Sequence, residues 1–295
     1  MAQAWPHKGG WASPEAQVQI ANKLNYGNVA LVLGAGVSFF YGLPSWRDLL
    51  TGLQNKGTGH SIPEIHDYPG WAQQILEGLF VGNDAEFLEA VHNGLYGPDA
   101  EALAIQKIAD DASLRAIGTM GVGSKRGTVD TIVTFNYDSL LESYFQHHGL
   151  SVVPVLSENQ PTRKADITVY HPHGFLPHPE TGFPRSQEIV LAQSQYDKTV
   201  ATPWESTLEN LFATRFCIFV GLSGNDERLV DLLEKVQKRN QHAKVERYWG
   251  YRLCRKPDPN IELWDNRGVY SVEFDDLASG INDTLLNICR LAAGK

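Results

Sequence analysis

The chain has 295 residues, 42% of them hydrophobic and 20% charged, and carries 34 acidic against 25 basic side chains for a formal net charge of −9. Such a chain buries a large core, as one large α/β domain or two small ones, without needing disulfides or a structural metal. The acidic balance repels nucleic acid and anionic membrane surfaces, so direct nucleic-acid binding would need a local basic patch to override it.

In chain order, Met1 to Ala12 lacks the basic stretch and apolar core of a secretory signal. Ser13 then caps a helix with Pro14 at its first position and Val18, Ala21 and Leu24 along one face, ended by Gly27. Val29 to Leu33 is continuously apolar, as in a strand covered on both faces of a parallel sheet, and Gly34-Ala35-Gly36 stops it abruptly. Between Thr51 and Gly127, polar glycine-rich stretches alternate with predicted helices at Trp71–Leu79, Asp84–Asn93 and Asp99–Ile117, read as a helical insertion over one edge of the sheet. Apolar runs recur at Thr131–Phe135, Ile167–Tyr170 and Phe216–Val220. Helical patterns follow at Ser139–His147, with Leu140, Leu141, Tyr144 and Phe145, and at Glu227–Lys238, with Leu229, Leu232, Leu233 and Val236. Strands at Tyr248–Leu253 and Val269–Phe274 and a helix at Ile281–Leu291 close the chain. Strand-then-helix repetition predicts an α/β, Rossmann-like, doubly wound and mostly parallel sheet, in one domain over residues 1–295. No apolar run approaches the roughly 20 residues that span a bilayer. The three cysteines, Cys217, Cys254 and Cys289, are far apart. A cytoplasmic protein with no membrane partner is expected.

Gly34-Ala35-Gly36-Val37-Ser38 follows a buried strand, the context in which a glycine pattern carries information. Gly34 and Gly36 allow a tight turn and a close approach to a pyrophosphate, whose charge then meets amides at a helix N-terminus. A tight turn that binds nothing is the other reading. Phe39 replaces the third glycine of a dehydrogenase fingerprint, and no acidic residue stands about 20 positions further on, so an ordinary dehydrogenase is not indicated.

The full run from Gly34 to Asp48, GAGVSFFYGLPSWRD, resembles the signature of the sirtuin (SIR2) superfamily. It matches at Gly34, Ala35, Gly36, Ser38, Gly42, Pro44 and Arg47, with Trp46 where sirtuins carry phenylalanine and Ser45 where they carry aspartate. Three blocks follow in the family's order. Thr134-Phe135-Asn136-Tyr137-Asp138 is similar to the T-Q-N-I-D block, and His173-Gly174 to the catalytic H-G. Val220-Gly221-Leu222-Ser223 with Asn225-Asp226 is similar to the late G-x-S block of the SIR2-like proteins of bacterial antiviral defence. The resemblance implies a SIR2-like fold and NAD as substrate. It implies catalysis by Asn136, His173 and Asp138, with NAD held by Gly34, Ala35, Gly36, Ser38, Pro44, Trp46, Arg47, Gly221, Ser223 and Asn225, and no metal.

Each block also has its own chemistry. Asn136 at a strand's C-terminal end points into the crevice where open α/β sheets bind ligands, and its amide suits a water or a ribose hydroxyl. Asn136 and Asp138 would serve equally as a turn or helix cap before Leu140. Breaking a nicotinamide–ribose bond builds positive charge on the sugar, which a fixed carboxylate such as Asp138 stabilises. His173 titrates in the range needed to take a proton from a hydroxyl or water. Its neighbours His171 and His178 make a metal site the rival reading. Ser223 and Asn225 suit phosphate or ribose, or a cap for the helix from Glu227. Trp46, Phe39 and Phe40 suit the wall of a nicotinamide pocket or plain core. Lys235, Lys238, Arg239, Lys244 and Arg247 read as a solvated helix face rather than a nucleic-acid patch.

Deacylating sirtuins carry a zinc ribbon with two cysteine pairs between the catalytic histidine and the G-x-S block, whereas this chain has only Cys217 there. The resemblance therefore favours an NAD hydrolase (NADase) that releases nicotinamide and ADP-ribose and depletes NAD in antiphage defence. A sirtuin-type protein deacylase and a non-catalytic NAD-binding module are the alternatives. The resemblance spans nearly the whole chain, so control is expected in trans, as a homo-oligomer or through a partner such as a HerA-type ATPase or a short Argonaute. The insertion is a candidate lid or contact surface.

Overall fold

The computed structural model describes residues 14–55, 67–97, 105–122, 129–158, 160, 164–198, 203–224, 226–242 and 248–294. The Ser13 cap, Asn225, Lys244 and Arg247 lie outside them, as do the side chains of Phe39 and Phe40.

Seven strands form one sheet: β1 (Val29–Leu33), β2 (Thr131–Thr134), β3 (Val152–Val155), β4 (Ile167–Tyr170), β5 (Phe216–Val220), β6 (Gly250–Arg255) and β7 (Val269–Phe274). Their order is β3-β4-β2-β1-β5-β6-β7, and every pair is parallel. Starting from β1, the chain first builds one half of the sheet and then returns beside β1 to build the other. The C-terminal ends of β1, β2 and β5 thus lie at the switch point where such sheets form a crevice. Alternation along β1 explains the burial on both faces. Val29, Leu31 and Leu33 join one core cluster, while Ala30 and Val32 join the other. Each fully buried aliphatic side chain contributes about 1.5–3 kcal/mol.

The first cluster lies under α1 (Pro14–Asn25), a segment of the insertion, α8 (Leu140–His147) and α13 (Leu277–Ala292). On α1 the buried stripe is Ala16, Ile20, Ala21 and Leu24, and Val18 is exposed. Ala21 and Leu24 thus face inward as expected, and Val18 does not, because Ala16 and Ile20 extend the stripe at four-residue spacing. α2 (Ala35–Tyr41) and α3 (Trp46–Asn55) follow the glycine turn, and Ser45 caps α3 by accepting from the Asp48 N–H at 3.2 Å. α4 (Tyr68–Leu79) and α5 (Asp84–Tyr96) come next.

The predicted helix Asp99–Ile117 is instead two helices, α6 (Ile105–Asp110) and α7 (Ala112–Val122), with residues 99–104 outside the described set. Asp111 interrupts it by accepting from the Leu114 N–H at 2.8 Å, a side-chain cap that starts a new helix. The insertion is not confined to one edge, for α7 packs against both α8 and α13 over the middle of the sheet. Gly118 and Gly121 leave space there for the rings of Tyr144 and Phe145.

The second face is covered by α10 (Pro203–Thr214) and α11 (Glu227–His242) through Leu208, Phe212, Leu229 and Leu233, preceded by the short α9 (Gln193–Lys198). α12 (Ile261–Asn266) buries Trp264. On α11 the basic residues face carboxylates: Lys235 pairs with Glu205, Lys238 with Glu234 at 2.7 Å and Arg239 with Glu209 at 3.8 Å. Among the described residues no helix is long and apolar enough to cross a membrane.

Candidate active site

The segments that follow β1, β2, β4 and β5 carry Gly34 and the first turn of α2 to Ser38, Asn136 and Asp138, His173, and Gly221 with Ser223, so the sheet gathers residues 34 to 223 at one end. Gly34 and Gly36 serve first to let two loops touch. The Gly34 N–H donates to Val220 O at 2.9 Å, and the Gly36 N–H to Gly221 O at 3.2 Å. A Cβ on Gly34 would stand 2.6 Å from Gly221 O, and one on Gly36 2.8 Å from Gly221 Cα. Gly221 itself has φ +71 and sits against Val37 N.

Asn136 is buried, and its carboxamide orientation follows from its partners. Nδ2 donates to Gly34 O at 3.1 Å and to Ser38 Oγ at 2.8 Å, and since a carbonyl only accepts, the nitrogen must face it. Oδ1 is buried with no partner among the described residues. The Ser38 hydroxyl passes the bond on, donating to Asp138 Oδ2 at 2.5 Å, while Asp138 Oδ1 accepts from the Leu140 N–H at 3.1 Å. Asp138 thus caps α8 and also belongs to the site. Burial pushes its carboxyl above the usual range. The bonds from Ser38 and Leu140 oppose that rise, Glu142 adds to it, and His171 reduces it.

His173 is buried with Nε2 3.6 Å from Asp226 Oδ2, an oxygen that also accepts from the Tyr196 hydroxyl at 3.3 Å. Its ring lies edge-on to Phe135 at 4.8 Å and to Tyr196 at 5.3 Å. Burial lowers its pKa below 6.5, partly offset by Asp226, so the imidazole is neutral at neutral pH. Its Nδ1 has no partner among the described residues. The three histidines do not converge as metal ligands. His171 pairs with Glu142 at 2.8 Å, His173 faces Asp226, and His178 Nδ1 accepts from the Glu180 N–H at 3.3 Å. Among the described residues no group of three or more His, Cys, Asp or Glu is arranged to hold a metal ion.

These side chains surround two adjoining spaces. A cleft of about 520 Å³ has Gly34, Ala35, Gly221, Leu222 and Ser223 among its lining residues, with Trp46, Tyr68, Phe135 and Tyr196 as aromatic walls and His173, Asp226 and Arg228 as polar groups. That volume lies within the roughly 300–1,000 Å³ of small-molecule and cofactor sites. Behind it a recess of about 30 Å³ is lined by Ser38, Pro44, Asn136 and Asp138 and shares Ala35, Trp46 and Phe135 with the cleft. A space of that size holds a water molecule. Arg47 is exposed and lines neither space, and Gly36 is covered by Gly221.

Several site residues carried little sequence signal. Asp226 was legible only as part of the late block; a cap for the helix was expected of Ser223 or Asn225, and Asp226 serves as one by accepting from the Leu229 N–H at 3.0 Å. Tyr196 comes from α9, a six-residue helix without periodicity. Arg252 was marked only by being a charge inside an apolar strand. Fully buried, it donates to Leu222 O at 2.8 Å and Ser223 O at 3.1 Å, pairs with Asp258, and lies 4.8 Å from the Trp264 ring. Asn260 Nδ2 donates to Ser223 O at 2.8 Å. In a trans peptide N–H opposes C=O, so these bonds turn the Ser223 and Gly224 N–H groups away from Arg252.

An all-parallel doubly wound sheet with a glycine-floored cleft at its switch point defines a Rossmann-like α/β protein. Residues 130–270 match the family model of the SIR2-like domain. The match runs from β2 into β7 and takes in Asn136, Asp138, His173, Gly221 and Ser223; the glycine turn precedes it and is joined to it through the β1–β2 and β1–β5 ladders. That match covers just under half of the chain and supports its placement in the SIR2-like superfamily, whose domains use NAD. No curated protein matches the chain.

Proposed function

We propose that this protein is an NAD hydrolase that breaks the nicotinamide–ribose bond to give nicotinamide and ADP-ribose. The observation that carries this reading is Asn136 Oδ1, a buried acceptor with no partner among the described residues, on a side chain that belongs to the lining of a water-sized recess beside the cleft. Both amide hydrogens are spent on Gly34 and Ser38, so whatever meets Oδ1 must donate: a water or a ribose hydroxyl. The glycine-lined floor admits a backbone-close pyrophosphate, and Arg228 is the cation among the cleft's lining residues. Neutral His173 is competent to accept a proton from the hydroxyl or water, and Asp226 stabilises the imidazolium that results. Asp138 in its carboxylate form is the group that would stabilise positive charge developing on the ribose.

The test is chromatographic detection of nicotinamide released from NAD, beside Asn136→Ala and His173→Ala. Each substitution is expected to lower the rate by about 10²-fold or more. An Asn136→Ala protein cleaving NAD at the normal rate refutes the assignment.

One observation favours a second reading. Cavities of about 290 and 160 Å³ also reach His173, and Trp204 lines both. A second substrate entering there is what an NAD-dependent protein deacylase requires. With an acylated peptide it would yield O-acyl-ADP-ribose, so product identity separates the two enzymes, while a non-catalytic NAD-binding module would bind without turnover. We further propose that the hydrolase acts by depleting NAD in antiphage defence and is controlled in trans, by self-assembly or by a partner such as a HerA-type ATPase or a short Argonaute.

A further inference from the structure

The mechanism above uses Asn136, Asp138 and His173 but leaves His171 and Glu142 without a role. Both side chains are 0% exposed. His171 Nε2 lies 2.8 Å from Glu142 Oε1, and its Nδ1 lies 3.3 Å from the backbone oxygen of Asn136. A carbonyl cannot donate, so Nδ1 carries a hydrogen. Nε2 and Glu142 then share one further proton, as neutral imidazole with a carboxylic acid or as imidazolium with a carboxylate. Either form keeps the Nδ1–H, and the pair is net neutral. The Asn136 carbonyl selects the Nδ1–H, and Glu142, bound through the shared proton at Nε2, holds the ring from its other side.

Asn136 is fixed at its other polar atoms apart from Oδ1. Its N–H donates to Thr134 Oγ1 at 3.2 Å, and its side-chain amide is held by Gly34 and Ser38. We propose that Glu142 and His171 form a positioning pair that anchors the Asn136 carbonyl and thereby aims Oδ1 into the recess. As in other carboxylate–histidine pairs, the acidic partner holds the orientation of a histidine that serves a neighbouring site. The proposal rests on the NAD-cleavage reading of the site.

Two substitutions separate positioning from simple burial. Asparagine sets its amide nitrogen near the Nδ1 position and glutamine near the Nε2 position. His171→Asn therefore keeps the donation to Asn136 and drops Glu142, while His171→Gln does the reverse. The expected result is a kcat about 10- to 100-fold lower in His171→Gln with KM within about twofold, and a kcat within about threefold of wild type in His171→Asn. A purely structural pair predicts the opposite order, because His171→Gln keeps the buried Glu142 partnered. Equal loss in both, loss confined to His171→Asn, or no loss in His171→Gln overturns the proposal. Glu142→Gln, whose amide donates to Nε2, is expected to retain the rate. Nitrogen-15 spectra of imidazole-labelled wild-type protein give a readout independent of activity: His171 protonated at Nδ1 supports the pair, and an unprotonated Nδ1 overturns it. If wild type releases no nicotinamide, the cleavage reading fails, and the imidazole spectrum still decides the pair.

Discussion

Ser38 links the two polar residues of the recess, accepting from Asn136 and donating to Asp138. Its removal leaves a buried amide hydrogen and a buried carboxylate oxygen each short of a partner. Ser38→Ala should therefore cost about 1–3 kcal/mol of stability, read as a fall in denaturation midpoint, and should lower NAD cleavage as well. A variant as stable and as active as wild type would mean that the chain is not a unit. The pH dependence has a definite sign. Burial lowers the His173 pKa from 6.5 and raises that of Asp138 from 3.8. With His173 as the base, the acid limb of kcat/KM is expected below 6.5. A limb centred above 6.5 would argue against His173 as the base. For stability, His173 contributes fully above 6.5 and loses that contribution as pH falls through its folded value. Asp138 contributes below 3.8 and loses that contribution as pH rises through its own. Sequence reading found these residues through ordered motifs. It counted Ser38 among the residues that hold NAD, because a motif does not reveal that the hydroxyl is already engaged by Asn136 and Asp138.

At the scale of elements, the glycine turn and the loop after β5 are one structure. Gly36→Ala places a Cβ 2.8 Å from Gly221 Cα, backbone against backbone, so one loop must shift. Overpacking of this kind costs about 1–3 kcal/mol. Calorimetric melting without any nucleotide should show that loss, and NAD affinity should fall with it; an unchanged melting temperature would mean the loops yield freely. Buried strands such as β1 and β5 were legible because five consecutive apolar residues have few other uses. β3 was not, being four residues at the sheet's edge with Pro154 inside, a place where a missing N–H is tolerated. α10 carried a readable pattern in Leu208, Leu211 and Phe212, whereas α9 has too few turns for any period to show. The break between α6 and α7 follows from one aspartate competing for backbone hydrogens, a local choice that hydrophobic spacing does not record.

For the whole molecule, an enzyme that freely destroyed NAD would harm the cell that made it, so the proposed activity requires a switch. The contacts between α4 and α9 are the route expected for that proposed switch. α4 and α9 pack together, with the Ser194 N–H donating to Gln73 at 2.9 Å, and α9 carries the Tyr196 hydroxyl that donates to Asp226 opposite His173. A partner or second copy pressing on α4 or α9 would shift Tyr196, and with it the charge facing the base. To turn a protein that is about 1% active into one about 99% active, that partner must bind the active state about 10⁴-fold more tightly, about 5.5 kcal/mol of differential affinity. Such a difference should appear as a stable change in mass. Light scattering and nicotinamide release, measured on the same samples with and without candidate partners over a range of protein concentrations, are expected to show activity rising together with assembly. A monomer that stays monomeric and cleaves NAD at its full rate alone would end the case for control in trans.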